Sequence, residues 1–236
     1  MLQAFGSDIW IAEGEPVSFY GFAYPTRMAI MRLRSGALFV WSPIALTNAL
    51  RSEVDALGSV RYLVSPNKLH HIFLNAWKQA YPAAKLYAPP GLRKKRKDIA
   101  FDDELGDAPP QAWAGEIDQV IVHGSFFLTE VVFFHNESRT VLFADLIQNF
   151  RPGWFKGWKG VVARLDGITT FDPGAPREWR ASFLNRRAAG TALERILAWS
   201  STRLIIAHGE LPPGDPNAFI SKCFAWLLGK PATTRP

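Results

Sequence analysis

The chain has 236 residues, 48% of them apolar, and a formal net charge of +6. That is enough apolar sequence for a substantial core and too much for a disordered tail, while no run of about eighteen apolar residues is present to span a membrane. Its start, Met1-Leu2-Gln3-Ala4-Phe5-Gly6-Ser7-Asp8, lacks a basic region followed by an apolar one, and the single Cys223 has no internal partner for a disulfide; a soluble cytoplasmic protein is the expectation.

In chain order, the first fifty residues read as β-rich. Ile9-Trp10-Ile11, Val17-Ser18-Phe19-Tyr20, Met28 to Leu33 and Ala37 to Trp41 are short apolar or alternating runs separated by Gly14, Pro16, Pro25 and Ser35-Gly36, the last a hairpin signal. Leu46, Leu50, Val54 and Leu57 fall at helical spacing, with Thr47 near the start and Gly58 just past the end. A strand through Val60, Tyr62, Leu63 and Val64 then ends at Ser65, a helix is expected from about Leu69 to Tyr81, and Lys85-Leu86-Tyr87-Ala88 is a further strand. The basic run Arg93-Lys94-Lys95-Arg96-Lys97 is followed at once by Asp98, Asp102, Asp103 and Glu104. These charges lie within about one Debye length, roughly 8 Å in physiological salt, so the run reads as solvated surface and no nucleic-acid partner is expected.

The second half repeats the order. Gln119 to Val122, Glu130 to Phe134 and Thr140 to Phe143 are strands, the last two joined by the polar turn His135 to Arg139. Trp179 to about Trp199 reads as one long helix with Phe183, Leu184, Ala188, Leu193, Ile196 and Leu197 inward. Leu204 to Ala207 is a last strand and Phe219 to Leu228 a closing helix. Between them Phe150 to Gly160 mixes aromatics with Lys and Gly: Phe150, Trp154, Trp158 and Val161 fit a packed helix, and a lid or a lipid-facing patch are the alternatives, with peripheral membrane contact the less favoured. Two β-rich halves, each followed by helices, fit two packed sheets with helices outside. Without a repeat or linker, residues 1–236 read as one domain.

The stretch with most chemical content is Ser65-Pro66-Asn67-Lys68-Leu69-His70-His71, a strand-to-helix turn holding two of the five histidines. It resembles the Thr-His-X-His-X-Asp-His turn of the metallo-β-lactamase superfamily, with Ser65 at the Thr position, His71 at the last His, Pro66 and Lys68 at the first two histidines and His70 at the Asp. Downstream, Thr140-Val141-Leu142-Phe143-Ala144-Asp145 resembles the family's metal-bridging Asp after a strand, and Arg203-Leu204-Ile205-Ile206-Ala207-His208-Gly209 its late His. In order and separation these resemble a divergent branch of the superfamily.

The resemblance implies a four-layer αββα sandwich. It also implies a metal site of His70, His71, Asp145 and His208, with the other metal site of the family missing two ligands. One divalent metal, zinc ahead of iron, and hydrolysis of an unidentified small-molecule ester, amide or phosphoester follow. The other reading is a binding or regulatory protein that has lost catalysis, with a structural metal or none. Imidazoles and one carboxylate are a typical donor set for either ion. Lys68, standing where a metal ligand stood, is the candidate to neutralise Asp145 or hold an anionic group, and with Asp145 completes the expected catalytic pair. His123 is a weaker ligand candidate, Asn67 a cap, and Glu210 a surface carboxylate or an acceptor for His208.

Overall fold

A computed structural model describes residues 1–228. Its first sheet has seven strands in sequence order: β1 (Gln3–Gly6), β2 (Ile9–Phe19), β3 (Phe22–Arg32), β4 (Ala37–Trp41), β5 (Ser59–Val64), β6 (Lys85–Ala88) and β7 (Asp103–Glu104). The first four are antiparallel and the rest add in parallel. The second sheet runs β11 (Arg203–Gly209), β10 (Thr140–Asn149), β9 (Glu130–His135) and β8 (Ile117–Val122), with only the β10–β11 pair parallel. The helices are α1 (Asn48–Leu57), α2 (Leu74–Ala80), α3 (Leu92–Lys95), α4 (Trp158–Leu165), α5 (Arg177–Ala181), α6 (Arg186–Ala198), α7 (Pro216–Cys223) and α8 (Ala225–Leu228).

Strand alternation builds the layers, because successive side chains leave a strand on opposite faces. On β4, Phe39 and Trp41 enter the core between the sheets, while Leu38 and Val40 face the helical side with Leu50 and Val54 of α1 and Trp77 of α2. On β10 and β11, Leu142, Ala144, Ile205 and Ala207 enter the same inter-sheet core; Val141, Phe143, Leu204 and Ile206 meet Leu193, Ile196 and Phe224 on the other side. Phe39 and Phe133 meet across the sheets with ring centres 5.6 Å apart, each fully buried, and such burial is worth about 1.5–3 kcal/mol per side chain. The result is the expected sandwich of helices, sheet, sheet, helices.

Several elements differ from the sequence expectation. Ile9 to Phe19 is one strand with a bulge between Gly14 and Val17, not two. The helix expected from Leu69 starts only at Leu74, since local hydrogen bonds hold the preceding turn. The expected helix over 179–199 splits: Asn185 accepts from Ala188 N and starts α6 afresh, leaving Leu184 79% exposed rather than inward. The closing helix starts earlier and breaks at Phe224. Of the aromatic stretch, Phe150 and Phe155 pack with Phe22 and Tyr24, and helix begins only at Trp158, where Trp158 and Val161 point outward. No helix among the described residues is long and apolar enough to cross a membrane.

Candidate metal centre

The site begins with a register shift. β10 and β11 pair in parallel up to Phe143↔Ile206 and resume at Gln148↔His208, so β10 takes five residue steps where β11 takes two. The four residues between, Ala144 to Ile147, stand opposite Ala207 alone, so this part of β10 bulges from the ladder and carries Asp145 with it. A bulge strips backbone N–H groups of their partners. Here one buried carboxylate collects them: Glu130, at the head of β9, accepts from Ala144 N (2.8 Å), Asp145 N (2.7 Å) and Leu146 N (3.1 Å).

The turn after β5 closes over this bulge. The Ser65 hydroxyl is buried and lies 2.7 and 2.8 Å from the backbone carbonyls of Asn67 and His70. Asn67 Oδ1 accepts from Leu69 N at 2.8 Å, while its Nδ2 donates to Asp145 Oδ2 (2.8 Å) and Glu130 Oε2 (3.1 Å). The capping role expected of Asn67 is therefore a local turn bond, and its amide also bridges two buried carboxylates. Val131 N donates to Pro66 O at 2.8 Å, which binds the turn of the first sheet to β9 of the second.

Two imidazoles converge on Asp145. His70 Nε2 is 3.1 Å from Oδ2 and His208 Nε2 is 3.3 Å from Oδ1. The rings stand 5.1 Å apart, and ligand atoms of His70, Asp145 and His208 all lie within 4.8 Å of one another. Each ring is fixed from behind: His70 Nδ1 shares a 2.8 Å hydrogen bond with Ser42 Oγ, and His208 Nδ1 donates to the Pro25 carbonyl at 2.7 Å. Arg27, 5% exposed, holds the backbone around His208, with its guanidinium donating to the carbonyls of Ile206 and Gly209 and to Glu13.

Burial alone would push Asp145 up, but the charges and hydrogen bonds of His70 and His208 hold it well below the usual carboxylate range. Glu130 goes the other way: burial and the Asp145 charge push it up to about 7, against the backbone N–H groups it accepts. Tyr24, edge-on to His208 at 5.3 Å, is pushed up by burial and then by Asp145, so its phenol keeps its proton.

This donor set suits a divalent ion. With Nδ1 of His208 donating to Pro25 O, a neutral His208 presents the Nε2 lone pair to the carboxylate. Two lone-pair donors face each other there unless a second proton or a cation lies between them. Two imidazoles and one carboxylate match a three-residue catalytic zinc site with an open position, and equally the facial triad that holds non-haem iron.

The predicted four-residue set thus becomes three. His71 stands outside it, because Arg96 Nη1 donates to its Nδ1 at 2.7 Å, and burial, with Lys95 and Arg96 beside it, pushes it down to about 4. Lys68 does not meet Asp145 either: no ion pair joins them among the described residues, and Lys68 Nζ lies over the Phe127 ring at 5.3 Å. Asn67 holds the place by Asp145 expected for that cation. His123 is exposed beside a separate surface groove with Asp107 and Arg195. Glu210 is exposed, and the acceptor for His208 is Pro25 O. The basic run is partly folded as α3 and braces the turn through Lys95 Nζ to Lys68 O (2.9 Å), besides neutralising itself through Arg96 and Asp98 (2.6 Å).

Sequence reasoning missed Glu130, Ser42 and Arg27. The first and last left a trace, a lone charge heading an apolar run.

The fold is that of the metallo-β-lactamases. DIM-1 metallo-β-lactamase exposed to ceftazidime superposes with a TM-score of 0.65 at 14% identity, over 96% of this chain and 95% of that one. FIM-1 metallo-β-lactamase from Pseudomonas aeruginosa in its mono-zinc form gives 0.63 at 11% identity, over 97% and 94%. The metal-soaked flavodiiron core of Flv1 from Synechocystis sp. PCC6803 gives 0.64 at 11% identity, over 97% of this chain and 60% of that one. Identities this low carry fold and nothing finer. No curated protein matches the chain. A family model described as Domain of unknown function (DUF4336) matches residues 7–153, which take in Asn67, His70, Glu130 and Asp145, and the chain belongs to that family.

Proposed function

We propose that this protein is a hydrolase that binds one divalent metal ion through His70, Asp145 and His208 and acts on an acyl or phosphoryl bond of a small molecule. The observation that carries the reading is the convergence of three ligand atoms within 4.8 Å at the floor of a cleft, each imidazole held from behind. When bound, the ion supplies Lewis acidity and a water-derived nucleophile at neutral pH. The chain's own residues prepare the place for it. Ser42 and the Pro25 carbonyl orient the imidazoles, Asn67 turns the Asp145 carboxylate, and Glu130 keeps the bulge from collapsing into the β10–β11 ladder. Tyr24 offers a phenol that stays protonated beside His208.

Three protein donors leave a position open, as catalytic zinc sites do. Zinc is put ahead of iron; FIM-1, of the same fold, was solved in a mono-zinc form, and Flv1 as a metal-soaked flavodiiron core.

The test is elemental analysis of protein purified without added metal, alongside Asp145→Ala and His208→Ala. About one equivalent of zinc or iron, lost in both variants while the fold persists by circular dichroism, is the expected result. A protein that holds no metal and takes none up on dialysis would sink the proposal in favour of a hydrogen-bonded His–Asp–His cluster in a binding protein.

A further inference from the structure

The cleft above the three donors holds about 80 Å³ of space and opens to solvent, room for a slender group rather than a bulky one. Its walls come from both sheets and the segments around them: Val17 and Phe19 on β2, Ile44, Ile72 and Phe73 beyond the β4 and β5 ends, and Trp179 on α5. Its charge is equally informative. Among the described residues that line it there is no Lys or Arg, and the one carboxylate is Asp145 at the floor. Nearby cations are engaged elsewhere, Arg27 with backbone carbonyls and Glu13, and Lys68 against Phe127. A phosphate or carboxylate on a ligand is normally met by a fork of Arg or Lys donors. An anion carried on the part of a ligand away from the floor would lose water and meet aliphatic and aromatic walls with no cation beside it.

We propose that the cleft selects an uncharged ligand with an apolar acyl chain, an ester or amide, and rejects chains ending in a carboxylate or phosphate. The inference rests on the hydrolytic reading of the same site and narrows its substrate class. The implied reaction adds water across the acyl bond: the acyl carbon gains the oxygen, the leaving alcohol or amine gains a proton, and no redox partner is needed. The chain lies along the apolar walls and the carbonyl reaches the floor. Ser18, Tyr24, Thr26 and Ser42 are the uncharged hydroxyl groups that line it.

Calorimetric titration of metal-free protein with n-alkanamides from four to eight carbons tests the cleft without turnover. Affinity is expected to rise about fourfold per added methylene until the walls are filled. Chains of equal length ending in a carboxylate or phosphate, distal to the amide, are expected to bind at least tenfold more weakly. Ile72→Lys, at a rim position already 55% exposed, is expected to narrow or reverse that preference. Affinity independent of chain length, or anionic chains binding as well as neutral ones, would overturn the inference. Metal-loaded protein is assayed in parallel on p-nitrophenyl alkanoates and p-nitrophenyl phosphate. Chain-length-dependent binding without ester turnover would overturn the hydrolase and leave the apolar cleft; preferential phosphate turnover would overturn the cleft inference and leave the hydrolase.

Discussion

Removing the Glu130 carboxylate tests whether the bulge that presents Asp145 depends on it. Glu130→Ala strips the acceptor from three buried N–H groups, those of Ala144, Asp145 and Leu146, and from one donor of the Asn67 amide. Each buried N–H left without a partner costs about 1–3 kcal/mol. The carboxylate's own burial, which pushes it up to about 7, offsets part of the loss, and water entering the vacated space offsets more. The net expectation is about 3–5 kcal/mol of destabilisation. For a chain of this size 1 kcal/mol moves Tm by about 2–4 °C, so the melting point should fall by on the order of 10 °C. Glu130→Gln is the graded control. Its carbonyl oxygen can still accept from Asp145 and Leu146, whereas its amide turns a donor toward Ala144 N, one orphaned group at about 1–3 kcal/mol. Urea unfolding gives both stabilities, and competition with a chelator gives metal affinity, expected to fall about 10–100-fold in the Ala variant as for other groups that orient ligands. A Glu130→Ala protein within about 1 kcal/mol of wild type with unchanged metal affinity would refute the account of the bulge.

Two further outcomes are expected. His70→Ala should lose the metal while His71→Ala keeps it and loses only the contact with Arg96, a contrast measured by metal content after desalting; equal losses would return His71 to the ligand set. His135 is 2% exposed and pushed down to about 4 by burial, with its Nδ1 bonded to Ser138 Oγ. Its folded value lies below the unfolded one near 6.5, so from about pH 6.5 down to 4 the unfolded chain takes up a proton that the folded chain refuses. Stability contributed by the neutral ring is present above that window and lost as pH falls through it, by up to about 3 kcal/mol. His71 shares this sense, so His135→Phe should flatten only part of the slope in urea unfolding between pH 7 and 4; an unchanged slope would exclude His135 as a source.

Much of the fold was legible because its signals are local. Ser35-Gly36 does turn β3 into β4, with Gly36 at φ +79, and Thr47 does cap α1 by accepting from Leu50 N. The runs Ala37 to Trp41, Thr140 to Phe143 and Leu204 to Ala207 do lie in β4, β10 and β11, since a short apolar run is read from neighbouring residues alone. His70, Asp145 and His208 were legible as candidates through the resemblance of their three stretches to the metallo-β-lactamase pattern, which named His71 with them. What separates His70 from His71 is not local: Ser42, 28 residues earlier, holds one ring, and Arg96, 25 residues later, takes the other. Glu130 left only that lone charge as a trace, for a related reason. As the first residue of an apolar strand it resembles an exposed end, and only the register slip between β10 and β11 turns it inward.

Charge ties the non-local pieces together. The register slip forces an anion into the interior to receive the freed N–H groups, and it delivers a second one, Asp145, beside the first. Asn67 donates to both but is neutral and cancels neither. Glu130 tolerates its position because three N–H groups and a value pushed up to about 7 reduce the cost of its burial. Asp145, 3% exposed, stays charged, because the charges and hydrogen bonds of His70 and His208 hold it well below the carboxylate range against its burial. An unpaired buried carboxylate costs several kcal/mol, so its negative charge has to be met from the side of His70 and His208, where both Nε2 atoms already point at it. One proton there would serve only for stability. A divalent ion would serve as well, held by the two rings that Ser42 and Pro25 brace with one nitrogen each facing the carboxylate at the floor of an open cleft.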